Sequence, residues 1–165
     1  MKFNFQAFSA IYFHEMDRFR RTLMQSLFSP VLSTSLYFIV FGSVIGGYVE
    51  NIDGISYGSY IVPGLLMLTL LTQSISNTSF GIFFPKFNGT IYEILAAPIS
   101  TFEIVLAFVG AGATKTLIVG VVIFITSTFF VEVNVMYPLL MIFLLVLVAF
   151  TFALFGFLIG LMSSN

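Results

Sequence analysis

The chain has 165 residues, of which 59% are hydrophobic and only 8% charged, with a formal net charge of −1. A water-soluble domain carries about 25% charged residues, so this composition excludes one and describes a chain that meets lipid. There is no cysteine, which removes disulfide staples and thiolate metal sites, and neither a cofactor nor a nucleic-acid partner is expected.

In chain order, Phe5, Phe8, Ile11, Tyr12, Met16, Phe19 and Leu23 recur at helical spacing, while Gln6, Ser9, His14, Asp17, Arg18 and Arg21 fall on other faces. The pattern predicts an amphipathic helix over about 4–21, lying in the plane of the membrane interface. Asp17 and Arg21 are spaced for an i,i+4 pair worth only about 0.2–0.5 kcal/mol, and a solvated charged face accounts for them equally well. His14, Glu15 and Asp17 cluster, but no second His exists to complete a metal site, so they read as the polar face of that helix.

Long charge-poor runs follow, from Thr22 to Val49, Gly54 to Pro85, Glu103 to Val131 and Val133 to Asn165. They predict spans over about 23–48, 59–84, 103–130 and 137–162, each exceeding the roughly 20 residues that cross a bilayer as a helix. Barrel strands would be about ten residues long and alternate with a period of two, so the fold class is all-α: a polytopic membrane bundle of four transmembrane helices. The basic residues before the first run could introduce a secretory signal, but the run is about twice the usual apolar core of about 7–15 residues, and the segment is expected to be retained.

Lys2, Arg18, Arg20 and Arg21 precede the first span and Lys86 follows the second, whereas Glu50, Asp53 and Glu132 occupy the other two loops. The positive-inside bias therefore predicts a cytoplasmic N-terminus and a cytoplasmic loop around Lys86. Loops Tyr48 to Gly58, with its turn-favouring Asp53-Gly54 pair, and Glu132 to Tyr137 then face outward. Pro30, Pro63, Pro98 and Pro138 read as lying at or near span ends, where a missing backbone donor does least harm.

Within the second span Thr69, Thr72, Gln73 and Ser76 stand at i, i+3, i+4 and i+7. Such a stripe should face other helices or a wet path rather than lipid; interhelical hydrogen bonds and a substrate-lining role are both open. Small residues four apart, Gly42 with Gly46, Gly112 with Thr116 and Gly120, Ala149 with Ala153, and Gly156 with Gly160, permit close helix approach within one subunit or across a dimer seam. The third span, 28 residues from Glu103 to Phe130, would reach about 42 Å against an apolar thickness of about 30 Å. Its first turns should project into the cytoplasm, placing Lys115 where it can snorkel out of the membrane.

The segment Thr90-Ile-Tyr-Glu-Ile-Leu-Ala-Ala-Pro-Ile-Ser100 joins the second and third spans. Phe87-Asn88-Gly89 breaks the preceding helix, Thr90 and Glu93 have capping-box spacing, and Pro98 blocks continuation. Ser100 or Thr101 can cap the next helix, which has Glu103 in its first turn. A helix of about two turns over 90–97 is expected. The carboxylates are dispersed over both membrane sides and no phosphate-cradling Gly-Lys-Ser/Thr loop is present, so catalysis is not expected of this chain.

Together with the basic start ending at Arg18-Phe-Arg-Arg21, the run Leu36-Tyr-Phe-Ile-Val-Phe-Gly42 and the opening Tyr60-Ile-Val-Pro-Gly-Leu-Leu-Met67 of the second span, this segment resembles the membrane subunit of ABC-2-type ABC transporters. The resemblance covers essentially the whole chain. It implies a permease without enzymatic activity, partnered by a separate ABC-type ATP-binding subunit and a second permease copy, homodimeric or heterodimeric, in a bacterial plasma (inner) membrane. The short helix would be a cytoplasmic coupling helix, with Tyr92, Glu93 and Leu95 contacting the ATPase and Arg18, Arg20 and Arg21 nearby. Thr69, Thr72, Gln73 and Ser76 would border the substrate path, and export would be the direction. Such permeases usually have six spans, so an N-terminal fragment lacking the last two is expected. A secondary transporter or channel is the alternative, though it needs an ionisable residue deep in the bundle and only Lys115 is offered. A non-transporting assembly subunit is the third possibility.

Overall fold

The computed structural model describes residues 4–45, 56–133 and 135–163. Lys2, Glu50, the Asp53-Gly54 turn and Gly46, the second member of the Gly42–Gly46 pair, fall outside this description. Six helices follow one another: α1 Phe5–Arg21, α2 Leu23–Tyr37, α3 Tyr57–Phe87, α4 Ile91–Ala96, α5 Thr101–Thr128 and α6 Pro138–Met162. A π-helical stretch, Phe38–Ile45, extends α2. Among the described residues four helices are long and apolar enough to cross a membrane, giving an all-α polytopic bundle.

Local chemistry sets the helix ends. The Asn4 side chain accepts from Ala7 N at 3.2 Å to start α1. Thr22 ends it, its N–H shared between the Arg18 and Phe19 carbonyls. Gly89, at φ 78°, takes the left-handed conformation that closes α3 and that a side chain would strain. The capping box forms one helix later than its first candidate. Ser100 Oγ accepts from Glu103 N and Glu103 Oε2 accepts from Ser100 N at 2.9 Å. Thr90 instead adopts helical angles, makes no side-chain cap and turns its hydroxyl to the Pro85 carbonyl. A residue already helical cannot aim its side chain at the third N–H, which is why that expected box fails.

The prolines divide in the same way. Pro138 opens α6 and Pro98 follows α4, but Pro30 and Pro63 lie inside α2 and α3. Pro30 therefore removes the N–H that would bond the Ser26 carbonyl, in the middle of a span rather than at its end.

α5 is the central helix, half of its residues being buried, whereas α2, α3 and α6 each leave an outward face exposed. α3 and α6 run in the same direction and touch through small residues: Ser74 Oγ donates to the Ala149 carbonyl at 3.1 Å, and Gly156 lies against the Ile75 backbone. Gly112 accommodates Thr78 and Gly120 accommodates Leu70, so the small residues of α5 and α6 pack within one subunit. The outer face of α6, including Leu139, Phe143, Leu147, Leu154 and Leu158, is left for lipid or further helices.

α1 lies lengthwise along α5. Asn4 N donates to Glu103 Oε1 at 2.6 Å, Tyr12 Oη to Thr114 Oγ1 at 3.0 Å, and Glu15 meets Lys115 at 2.7 Å. Three contacts in register over about 17 Å fix two helices nearly parallel. The apolar stripe of the amphipathic helix is thus spent largely on protein: Phe19 joins a core of Leu66, Leu70, Val119 and Ile123, and Ile11 packs on the neighbouring core around Phe108.

At Gly156 an added methyl carbon would lie 2.5 Å from the Ile75 carbonyl oxygen, backbone that cannot swing aside. Gly156→Val should therefore destabilise the bundle by about 1–3 kcal/mol. Gly64→Ala, with nothing within 4 Å, should be neutral or stabilising by about 0.5–1 kcal/mol. Thermal unfolding of the two variants in detergent checks both.

Candidate functional site

The polar stripe of α3 faces α2 across a shallow seam. Thr69, Thr72 and Gln73, with Leu65 and Leu68, line a cavity of about 180 Å³ opposite Ser29, Ser33, Thr34 and Tyr37. Thr69 and Gln73 are half-buried and Thr72 and Ser76 exposed. The two threonine hydroxyls donate to carbonyls of their own helix, Leu65 and Leu68, each at 2.9 Å, and Asn77 reaches Gln73 Oε1 at 3.5 Å. The two threonines are therefore satisfied within α3, and the interhelical bond comes from Ser74, on another face. Hydroxyls already saturated by their own helix can line a seam without drawing α2 onto α3.

One turn further along, Ser76 and Asn77 line a second cavity, of about 100 Å³, with Thr22 and Ser26 opposite. Arg18 and Lys115 close its end. Here the structure overturns the expectation for Lys115, which does not snorkel out. It is 3% exposed, and its ammonium donates to Glu15 Oε2 at 2.7 Å. Arg18 Nη2 reaches the same oxygen at 2.9 Å, its guanidinium carbon lying 5.9 Å from the Phe84 ring centroid.

Glu15 is equally buried, at 2%, whereas its neighbours His14 and Asp17 are exposed. It is thus not part of a polar face, and an acidic group does sit inside the bundle. The cause is economy of charge: a buried ammonium is tolerable only beside an anion, and α1 carries the carboxylate that can reach it. The signal lay in the sequence, since Glu15 shares the face of Ile11, Tyr12 and Phe19, but it reads there as an interruption of an apolar stripe. Among the described residues no group of His, Asp and Glu could hold a metal ion.

At the far end of the bundle α4 is two-faced. Ile91 and Ile94 pack on the core of Ile82, Ile104 and Phe108, whereas Tyr92, Glu93 and Leu95 are exposed, Tyr92 by 73%. Phe87 and Phe102 flank them, also exposed. The Arg18 guanidinium reaches the last turns of α3, its carbon 5.9 Å from the Phe84 ring centroid and its Nη2 beside Gly81. Arg18 turns inward to Glu15, while Arg20 and Arg21 are exposed.

Glu15→Leu, which strands the Lys115 ammonium, should cost about 3–5 kcal/mol of stability, and Glu15→Leu with Lys115→Leu should recover most of that loss. A double-mutant cycle read by unfolding in detergent measures the coupling; additive losses would mean that the pair does not hold α1 to α5.

Comparison with known proteins assigns the chain to a lineage. A family model described as ABC-2 type transporter matches residues 6–165. The chain is 37% identical over 159 residues to the proteins described as inner membrane transport permease YadH in Escherichia coli strain K12, Escherichia coli O157:H7 and Shigella flexneri. That match takes in 96% of this chain and 62% of theirs, so the chain spans under two thirds of the length of these relatives. No solved structure matches it. A family match over nearly the whole chain, on a bundle of four apolar helices, places it plainly: this is an integral membrane chain of the ABC-2 type transporter family.

Proposed function

We propose that the chain forms the membrane path of an ATP-binding cassette transporter in a bacterial inner membrane, with ATP hydrolysed by a separate subunit that docks on α4. The observation that carries this reading is the division of that six-residue helix. Ile91 and Ile94 fix it to the core where α3 ends and α5 begins, and Tyr92, Glu93 and Leu95 are left outside beside Phe87 and Phe102. Large apolar side chains grouped at a loop end, rather than along a lipid-facing helix wall, suit a protein partner better than water. Because α4 is held by core contacts to both long helices, a displacement of α4 moves α3 and α5 with it.

The same reading makes the seam between α2 and α3 the substrate path, with Thr69, Thr72, Gln73 and Ser76 on one wall and the serines of α2 on the other. A second permease copy faces the first, and transport runs outward, as is general in the family. The end bearing α1, Lys86 and α4 is cytoplasmic by its basic residues. Arg18, Arg20 and Arg21 form the basic cluster on the ATPase side, Arg20 and Arg21 being exposed at the end of α1.

A carrier driven by an ion gradient is the second reading, favoured by the buried Glu15–Lys115 pair. It predicts transport without ATP.

Glu93→Lys and Leu95→Asp should each lower association with the ATP-binding subunit or transport-coupled ATP hydrolysis by about tenfold, leaving membrane insertion intact. Pull-down and ATPase assays of the reconstituted complex read this, and unchanged coupling in both variants would remove α4 from the contact. A cysteine at Glu132 should react with an impermeant thiol reagent added to intact cells, and one at Asn88 should not; the reverse would invert the orientation.

A further inference from the structure

We infer that the small cavity between α1, α2 and α3 is a binding site for a single phosphate-type oxyanion, held by the surplus positive charge of the Arg18–Glu15–Lys115 cluster. The inference rests on the reading of the α2–α3 seam as the substrate path and says what part of a substrate that path receives.

Three observations converge. Arg18 and Lys115 both direct their charge at one oxygen, Glu15 Oε2, at 2.9 and 2.7 Å, so two cations share one anion and the cluster carries one uncompensated positive charge. Both cations line the cavity of about 100 Å³; Lys115 is 3% exposed and the Arg18 side chain 36%, so the cluster is buried at its Lys115 end and open to an incoming ligand at Arg18. The remaining polar wall is Thr22, whose hydroxyl donates to carbonyls of α1, with Ser26, Ser76 and Asn77, two hydroxyls and an amide that can donate, and no acidic side chain lines it. A guanidinium beside an ammonium with hydroxyl donors around them is the chemistry that binds phosphate oxygens.

Size decides how much of a ligand enters. The cavity is well below the roughly 300–1,000 Å³ of a site that encloses a drug-sized molecule, but it admits several waters' worth of volume and so a tetrahedral oxyanion. The adjoining cavity continues the seam with Leu65, Leu68, Pro30 and Tyr37 among its polar residues, a surface that accepts an apolar or mixed tail. The oxyanion is then either the headgroup of an amphiphile whose tail follows the seam or a soluble phosphate, and the two are separable.

The protein, purified in a non-ionic detergent without any ATP-binding subunit, is titrated calorimetrically with dihexanoyl phosphatidylglycerol, with zwitterionic dihexanoyl phosphatidylcholine and with inorganic phosphate. Saturable binding of the phosphatidylglycerol is expected, competed poorly by the phosphatidylcholine. Arg18→Gln keeps the buried Glu15–Lys115 pair, and with it the fold, while cancelling the surplus charge; it should weaken binding about tenfold or more. Glu15→Gln raises the surplus by one charge and should tighten binding, a change of opposite sign that a structural role of the cluster would not produce. Inorganic phosphate competing at similar concentration would make the ligand a soluble phosphate, still at this site. Absence of binding by either phosphate probe, or wild-type affinity in Arg18→Gln, would overturn the inference. Because no ATPase is present, that failure leaves the proposed coupling through α4 untouched. Conversely, anion binding at Arg18 with transport indifferent to Thr72 and Gln73 would sink the path and spare the site.

Discussion

A cation inside an apolar bundle must find an anion, and the way Lys115 does so organises this molecule. Its ammonium reaches Glu15, which belongs to a helix 100 residues away in sequence, and Arg18 completes the cluster from one turn further on. The contact ends a row that begins with Asn4 on Glu103 and continues with Tyr12 on Thr114, so α1 is laid along the first half of α5 as a splint. Replacing a buried pair by apolar residues is often neutral in energy, so its value here is positional: it fixes which face of α1 meets α5.

The bundle that results is tight on one side and loose on the other. α3, α5 and α6 approach through Gly112, Gly120, Gly156 and Gly160, where a single extra methyl group meets backbone or a packed side chain. α2 leans on α5 and is separated from α3 by the seam whose walls are serine, threonine and glutamine. Densely packed helices move as a unit, whereas the seam's Thr69 and Thr72 hydroxyls bond their own helix and lose neither bond on opening. α4, anchored by Ile91 and Ile94 at the junction of α3 and α5, is attached to the tight unit. A force applied there would shift that unit against α2, and the seam is where the relative motion would appear.

Other elements illustrate how local and distant chemistry trade places. The Ser100–Glu103 capping box was open to reading, because both partners lie within three residues; the added bond from Asn4 to Glu103 was not. The similar spacing of Thr90 and Glu93 misleads, since the turn after Gly89 leaves Thr90 in helical geometry and Glu93 faces outward. The Thr69–Ser76 stripe was visible as a polar face, but not that Thr69 and Thr72 would be satisfied by their own helix.

By itself the sequence determined the material and the class: charge-poor runs longer than a bilayer leave no fold but a helical bundle, and the ordered motifs name the family, because both are properties of residues close together along the chain. Only the tertiary structure decided where the ionisable groups went. Lys115 looked free to reach water and Glu15 looked like part of a wet surface, until the fold set α1 against α5. The physical reason is that the cost of a charge depends on what surrounds it in space, and one hundred residues of intervening chain carry no mark of that neighbourhood.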